Sequence, residues 1–506
     1  MLCKVFANCL KKQVVRRKVF WLLATLLANS FLPAFGQQVS VYVSSKAGDR
    51  VTAKPPLHFV VSTKADKPNF HLDEAVVHQK IAGFGASFLE AGMICLNSLD
   101  SQQQESVLRA LFDPKDGAGF SAMKTVIAAT DFTSAGPWYT YDDTPGDVEL
   151  KHFSIQRDLS PNGLITYIKR ARKYGSFVLQ APMDYPPDWM LVDVNSNQDV
   201  DKKYFDVLAH YYLRYLQEYQ KNGIFIDYLS LFNEPFLVYT KIPYASIRDL
   251  LKNHVGPLFA KHGVKTKIQL SEDPTRVGAY ERYPILLDDP EARKYVASIP
   301  YHGYDFTGLR KPPTRENGYS FQEFEKIAGL HKRYPDLPLW MTEVCKWTLG
   351  TPWAKPIPRY DYEDSDFWAN QIMSDLEAGA SAWTYWNTIL DQNGGPWLIS
   401  PIHNDPDNNV QHPVVIIDRN TKKVSYTGVY YALAHFSKFV RPGSLRMGTR
   451  GTKSGVRCMA FKSPGGGFVT QLVNSRNEDV DVSIENQGRS LSLRLPAVSI
   501  TTCVWK

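Results

Sequence analysis

IDYLSLFNE, residues 226–234, is a short apolar run that ends in an amide and a carboxylate. An earlier run of the same kind, SFVLQAPMD (176–184), is separated from it by YFDVLAHYYLRYLQEYQKNG (204–223). This intervening segment has apolar residues at the helical period and closes on Gly, as helix C-caps do. The order strand, helix, strand predicts two parallel strands joined by a crossover helix, and this unit decides the fold.

The same alternation extends over about 300 residues, which is longer than an open doubly wound sheet usually runs. Eight short apolar runs are separated mostly by amphipathic segments. The runs are IAGFGASF (81–88), AMKTVIAAT (122–130), SFVLQAPMD (176–184), IDYLSLFNE (226–234), TKIQLSED (266–273), VASIPYHGYD (296–305), PLWMTEVCK (338–346) and GASAWTYWN (379–387). Eight strand and helix repeats predict an α/β fold of the (β/α)₈ TIM-barrel type.

Strands of another kind flank this region. Short alternating runs with turn residues between them occupy residues 37–78 and most of the chain after Pro413, including KVSYTGVYYALAHFSKFV (423–440). Such runs at a two-residue period predict a β-sandwich. We therefore predict a catalytic barrel over 79–412 and a side β-sandwich over 413–506, which the N-terminal strands of 37–78 join.

The first 36 residues have the pattern of a secretory signal. A basic segment precedes an apolar run, and small residues follow, which predicts a signal peptide over 1–36 cleaved before Gln37. An uncleaved membrane anchor remains the alternative, although the run is slightly short for a span. The expected location is outside the cytoplasm: extracellular, periplasmic or lysosomal.

Net charge and cysteine content limit the possible partners. Lysines and arginines of the leader supply six of the formal charge of +7, so that +1 remains and a nucleic-acid partner is not expected. Four cysteines remain after the leader, of which Cys458 and Cys503 could pair, whereas Cys345 fits a free core thiol. Since no pair has zinc-ligand spacing, we expect neither a metal site nor a cofactor.

Polar residues follow the predicted barrel strands, and the active sites of such barrels lie at these strand ends. Glu234 ends the fourth run and Glu343 lies near the end of the seventh, nearly opposite each other across the barrel mouth. Paired carboxylates suit glycoside hydrolysis, because one protonates the leaving oxygen and the other attacks or activates water. Either glutamate alone would be weak support, since Asn-Glu-Pro is also a common helix start.

Longer motifs carry a specific resemblance. The segments AATDFTSAGPWYTYDDTPGDVELKHFS, SLFNEP, MTEVC, AWTYWN, GGPW and ALAHFSKFVRPGS resemble glycoside hydrolase family 30, in particular its glucosylceramidase branch. This resemblance implies a retaining β-glycosidase with Glu234 as acid/base and Glu343 as nucleophile. It also implies a substrate-binding set of four residues: Asp131 would hold outer hydroxyls, Asn233 would bind the 2-hydroxyl, Tyr304 would orient Glu343, and Trp386 would lie beneath the first sugar.

The sequence departs from this branch at positions near the predicted site. Met183 stands where the branch has Trp, Gly303 replaces a bulky aromatic residue, and Lys124 stands where Arg is usual. We therefore hypothesise that Asp184 or Tyr185 reshapes the first sugar subsite.

The expected substrate is a carbohydrate or a glycolipid. The first expectation is a β-glucoside, with transient membrane contact if that glucoside is a lipid. The alternatives are endo-action on β-1,6-glucan, xylan or β-1,6-galactan, and carbohydrate binding without catalysis.

Overall fold

The computed structural model describes residues 37–63, 67–134, 138–193, 199–235, 241–305, 323–347, 362–396 and 410–506. The leader predicted over residues 1–36 lies outside these ranges. Among the helices in these ranges, none combines the length and the apolar character needed to cross a membrane.

Eight parallel strands close into a barrel, which confirms the predicted fold class. Each of the eight apolar runs supplies one strand, and the strands follow one another around the barrel in chain order. The first to eighth barrel strands are Gly83–Ser87, Ala122–Lys124, Val178–Pro182, Tyr228–Ser230, Lys267–Gln269, Val296–His302, Leu339–Glu343 and Ala380–Asn387. Because all strands point the same way, their carboxyl ends gather at one mouth.

Helices cover the outside of the barrel. Their apolar faces are buried against the strands, and Asp100, whose side chain accepts from the Gln103 N–H, is an example of the caps that start them. The described helices are Glu90–Asn97, Ser101–Phe112, Leu164–Ala171, Phe205–Lys221, Tyr244–Leu250, Gly256–Lys261, Arg276–Arg282, Pro284–Leu287, Pro290–Arg293, Phe324–Arg333, Ser365–Glu377 and Gly428–Phe439.

A ten-stranded sheet stands beside the barrel and contains both N-terminal and C-terminal strands. In spatial order its strands are Thr52–His58, Gln38–Ser45, Ser499–Trp505, Phe468–Asn474, Val456–Lys462, Leu445–Gly451, Phe70–Lys80, Val480–Asn486, Arg489–Leu495 and Val60–Val61. Arg489–Leu495 also contacts Thr52–His58 and Ser499–Trp505, with which it does not pair, so the sheet folds over itself. The two layers enclose a second hydrophobic core.

Two small sheets complete the described strands. Lys346–Trp347 pairs with Gln411–His412, and Val415–Ile417 lies between Ile389–Asp391 and Val424–Tyr426. Cys458 and Cys503, which the sequence left as a possible disulfide, are both free thiols.

One strand prediction is wrong. Residues 428–439 lie within the segment interpreted as strand, but Gly428–Phe439 is a helix. It packs between helix Ser365–Glu377 and strand Ser499–Trp505, so most of its residues are buried. A helix buried on several sides loses the polar face that distinguishes a helical period from a strand.

His435 connects this helix to the strands Gln38–Ser45 and Ser499–Trp505. Its Nδ1 lies 2.7 Å from Thr502 Oγ1 and its Nε2 lies 2.9 Å from Ser44 Oγ. Burial lowers the pKa of His435 to about 3, because a charged imidazole would lose its hydration in the protein interior.

We expect His435 to make the protein acid-sensitive. The unfolded chain takes up a proton at His435 near pH 6.5, whereas the folded chain does so only near pH 3, so stability falls as the pH drops between these values. At pH 4.5 this residue alone lowers the free energy of unfolding by about 3 kcal/mol. Urea denaturation of wild type and His435→Gln at pH 7 and 4.5 measures the effect, and an equal pH dependence in both proteins would contradict it.

Candidate active site

The barrel mouth collects ionisable side chains from several strands. Lys124, His302 and Glu343 are the last residues of the second, sixth and seventh barrel strands, while Glu234 and Glu272 follow the fourth and fifth. All five are buried, although each has a group that water solvates strongly. Burying such groups together is tolerable only if their charges and hydrogen bonds are mutually satisfied.

Glu234 and Glu343 meet at this mouth, as the sequence predicts. One carboxylate oxygen of each glutamate and one ring nitrogen of His302 all lie within 4.8 Å of one another. Only 8% of the surface of Glu234 and 4% of that of Glu343 is exposed, so both residues are largely shielded from solvent.

Lys124 lies at the centre of the cluster. Its Nζ donates to Glu343 Oε2 at 2.6 Å, to Glu272 Oε2 at 2.9 Å and to Asn233 Oδ1 at 2.9 Å. It also lies 5.1 Å from the ring centroid of Trp386. Burial acts to lower the pKa of Lys124, but the carboxylates of Glu272 and Glu343 raise it above the ordinary value, so the ammonium form persists.

His302 connects two of the carboxylates. Its Nδ1 lies 2.7 Å from Glu234 Oε1 and its Nε2 lies 2.9 Å from Glu272 Oε2. Although burial opposes the charge, Glu343, Glu234 and Glu272 raise the pKa of His302 to about 9. The imidazolium therefore donates from both nitrogens at neutral pH.

The carboxyl groups of Glu272 and Glu234 have different electrostatic surroundings. Burial opposes ionisation of Glu272, but Lys124 and His302 lower its pKa to about 2. Burial raises the pKa of Glu234, and His302 offsets only part of that rise. One cluster thus contains a carboxylate that stays ionised and a carboxyl group suited to carrying a proton.

The backbone also orients Glu234. Its N–H donates to the Glu272 carbonyl at 2.9 Å, and its φ is +46°, a conformation that non-glycine residues rarely adopt. Such strain persists where surrounding contacts fix the chain, and it commonly marks functional sites.

The other predicted site residues lie around the two glutamates. The Tyr304 hydroxyl donates to Glu343 Oε1 at 2.8 Å, and Cys345 Sγ lies 3.6 Å from the same hydroxyl. Asn233 and Trp386 are buried beside Lys124, while Asp131 is partly exposed.

Two strand-end residues that the sequence analysis did not assign to the site have structural partners. Asp305 pairs with Arg276 at 3.0 Å, and the Asn387 amide donates to Gln411.

The sequence did not predict that three members of the cluster form one network. These residues are Lys124, Glu272 and His302. A signal was present, since Lys124 and His302 are ionisable residues within apolar strand runs. Such positions require partners, but the sequence does not reveal which residues from other strands supply them.

Glu234, His302 and Glu343 are also close enough to be considered as metal ligands. Both ring nitrogens of His302 already have carboxylate partners, since Nδ1 lies 2.7 Å from Glu234 Oε1 and Nε2 lies 2.9 Å from Glu272 Oε2. The donor set therefore fits a hydrogen-bond network better than a cation site.

A (β/α)₈ barrel whose mouth holds two buried glutamates, from its fourth and seventh strands, defines the class of a glycoside hydrolase. The sequence model of the glycosyl hydrolase family 30 TIM-barrel domain matches residues 81–440, and that of the family 30 beta sandwich domain matches 443–503. The chain belongs to glycoside hydrolase family 30.

Two relatives whose names state different activities have the same sequence identity to this chain. Lysosomal acid glucosylceramidase of Mus musculus is 27% identical over 449 residues, covering 85% of this chain and 81% of the relative. An endo-1,6-beta-D-glucanase of Neurospora crassa is 27% identical over 428 residues, covering 80% of this chain and 81% of the relative.

Solved structures agree in fold. SrfJ from Salmonella typhimurium has a TM-score of 0.81 at 20% identity, covering 93% of this chain and 99% of its own. An endo-beta1,6-glucanase has a TM-score of 0.76 at 22% identity, with the same coverage.

We expect Lys124→Met to destabilise the fold strongly. The substitution leaves Glu272 and Glu343 buried without their shared cation, and breaking a buried pair in this way costs about 3–5 kcal/mol. Urea denaturation at pH 7 measures the loss. Lys203→Met, which removes an exposed ion pair with Asp201, serves as the control and should leave the midpoint nearly unchanged. Equal midpoints for Lys124→Met and wild type would contradict the central role of Lys124.

Proposed function

We propose that this protein is a retaining β-glycosidase in which Glu343 is the nucleophile and Glu234 the acid/base. The observation that carries the proposal is that one carboxylate oxygen of Glu343 lies within 4.8 Å of one carboxylate oxygen of Glu234. Retaining enzymes hold their two carboxyl groups about 5–5.5 Å apart, whereas inverting enzymes leave about 6.5–9.5 Å for a water molecule.

The surroundings of the two glutamates suit these different roles. Burial raises the pKa of Glu234, which favours the protonated form that an acid catalyst requires. Glu343 accepts from the Lys124 ammonium and the Tyr304 hydroxyl, which hold one carboxylate geometry for attack.

The reaction then has two displacements. Glu343 attacks the anomeric carbon while Glu234 gives its proton to the leaving oxygen, which forms a covalent glycosyl-enzyme. In the second step Glu234 removes a proton from water, and this water displaces Glu343 from the same carbon. Asn233 would bind the 2-hydroxyl, where a hydrogen bond strengthens as the transition state develops positive charge.

Two further residues would position the sugar. Trp386, buried beside Lys124, would lie beneath the first ring, and Asp131 would bind outer hydroxyls.

The substrate we propose is a β-glucoside. Among the relatives, one is named for glucosylceramide and another for 1,6-β-glucan, and both names imply cleavage of a β-glucosidic bond. A glycolipid substrate would bring the mouth to a membrane surface, whereas an endo-acting enzyme would bind a polymer across it.

We expect Glu343→Gln and Glu234→Gln to differ with a dinitrophenyl β-glucoside. Glu343→Gln loses the nucleophile, so hydrolysis falls at least about a thousandfold and no burst of phenol appears. Glu234→Gln still forms the glycosyl-enzyme, because this leaving group needs little protonation. It then hydrolyses the intermediate slowly, with turnover reduced about 10²–10⁴-fold after a burst. Stopped-flow absorbance measures both phases.

Glu105→Gln, which alters a surface carboxylate paired with Arg170, is the control and should retain wild-type turnover. Equal behaviour of the two active-site variants would contradict the assigned roles, and inverted anomeric configuration of the first product would contradict retention. Product lengths from 1,6-β-glucan distinguish release of single glucose units from internal cleavage.

We also propose that the protein is exported after removal of residues 1–36, on the basis of the basic and apolar leader. Expression of the full chain with its leader should yield a mature protein that begins at Gln37 outside the cytoplasm. Intact mass and N-terminal sequencing measure this, and a retained Met1 on the exported protein would contradict cleavage.

A further inference from the structure

Asp184 is a buried carboxyl group that the reaction described above does not use. It follows the third barrel strand, at the same mouth as the two glutamates, and only 3% of its surface is exposed. Among the described residues its Oδ1 has no hydrogen-bond partner, and no ion pair joins its carboxyl group to a cation. An unsatisfied buried polar group costs stability, which requires an explanation.

Two other buried carboxyl groups in this barrel, those of Asp158 and Asp375, are well satisfied. Asp158 accepts from the hydroxyls of Tyr139, Tyr141 and Tyr219, and Asp375 accepts two hydrogen bonds from Arg276. These groups have structural partners within the protein, whereas Asp184 lacks the equivalent. No described residue supplies a partner for Asp184 Oδ1, and a hydroxyl group bound at the mouth would supply one.

The charge on Asp184 is set by the same cluster. Burial raises its pKa well above the ordinary value, and although Lys124 opposes this, Glu343, Asp131 and Glu234 add to it. A neutral carboxyl group has one donor and an acceptor, which is what a sugar hydroxyl can match.

The position of Asp184 identifies the hydroxyl. The backbone carbonyl of Met183, the residue before Asp184, accepts a hydrogen bond from the Asn233 backbone N–H at 2.7 Å. On its other side Met183 forms a β-bridge with Ile127. Asp184 thus lies between Asn233, assigned to the 2-hydroxyl, and the loop that contains Asp131, assigned to outer hydroxyls. The hydroxyls of a pyranose follow its edge in numerical order, and the 3-hydroxyl comes directly after the 2-hydroxyl.

We propose that Asp184 binds the 3-hydroxyl of the sugar in the first subsite and thereby requires an unsubstituted 3-hydroxyl on that sugar. This inference rests on the proposed β-glucosidase function. It narrows the substrate to β-glucosides that are free at position 3, which both 1,6-linked glucan and a glucosyl lipid satisfy. A glucose unit that carries a branch at its 3-hydroxyl would be excluded from the first subsite.

The test compares aryl β-glucoside with its 3-deoxy and 6-deoxy analogues, using wild type, Asp184→Ala and Asp184→Asn. For wild type we expect kcat/KM to fall about 100-fold on removal of the 3-hydroxyl, because the buried carboxyl then loses its partner. In Asp184→Ala the same removal should cost less than about threefold, whereas Asn, which can also donate and accept, should retain most of the discrimination. The 6-deoxy analogue should lose activity equally in all three proteins.

The outcomes separate this inference from the function on which it rests. If wild type fails to hydrolyse the parent glucoside, the proposed function is wrong and the inference falls with it. If wild type is active but the 3-deoxy penalty is equal in wild type and Asp184→Ala, only the inference is overturned.

Stability provides a readout that is independent of turnover. Asp184→Asn should raise the thermal midpoint of the ligand-free protein, and by more at pH 8 than at pH 4, since a carboxyl with a raised folded-state pKa destabilises the fold as the pH rises. A lower midpoint at both pH values would mean that the carboxyl is used structurally, and it would overturn the proposal.

Discussion

The buried ammonium group of Lys124 is the interaction on which the active-site mouth depends. Two carboxylates and an amide reach it from other strands, and they could not share a dry space without it. With His302 also protonated, the cluster contains two positive charges. Burial and the neighbouring Glu343 raise the pKa of Glu234, and His302 and Lys124 offset only part of that rise. The surroundings of Glu234 thus favour a proton on the residue proposed to deliver one.

Much of this arrangement could be predicted from the sequence, because local pattern determines it. Eight apolar runs separated by helical segments were enough for the barrel, and polar strand ends were enough to select Glu234 and Glu343. The network of Lys124, Glu272 and His302 could not be predicted in the same way, since its contacts join residues 30 to 219 positions apart. The helix Gly428–Phe439 was missed for a different reason: its burial erased the amphipathic period on which helix prediction relies.

One departure from the glucosylceramidase pattern, Gly303, lies in a tightly packed part of the structure. Gly303 leaves no room for a larger residue without movement, because an added Cβ would lie 3.2 Å from Arg276 Nη2 and from Val344 Cβ. Arg276 is fixed in turn by Asp305 and Asp375. The close packing around Gly303 is thus a local feature of this chain that a larger residue would disturb.

The ten-stranded sheet has a consequence for how the protein is made. Strand Gln38–Ser45 pairs on one edge with Thr52–His58 and on the other with Ser499–Trp505, so the second edge stays unpaired until residues 499–505 leave the ribosome. At bacterial or eukaryotic synthesis rates of about 5–20 residues per second, this interval lasts tens of seconds. The barrel strands all emerge within that time, whereas Gln38–Ser45 is paired only with Thr52–His58 and its other edge remains open. A chaperone that binds nascent chains would therefore protect the N-terminal strands for longer than it protects the barrel strands.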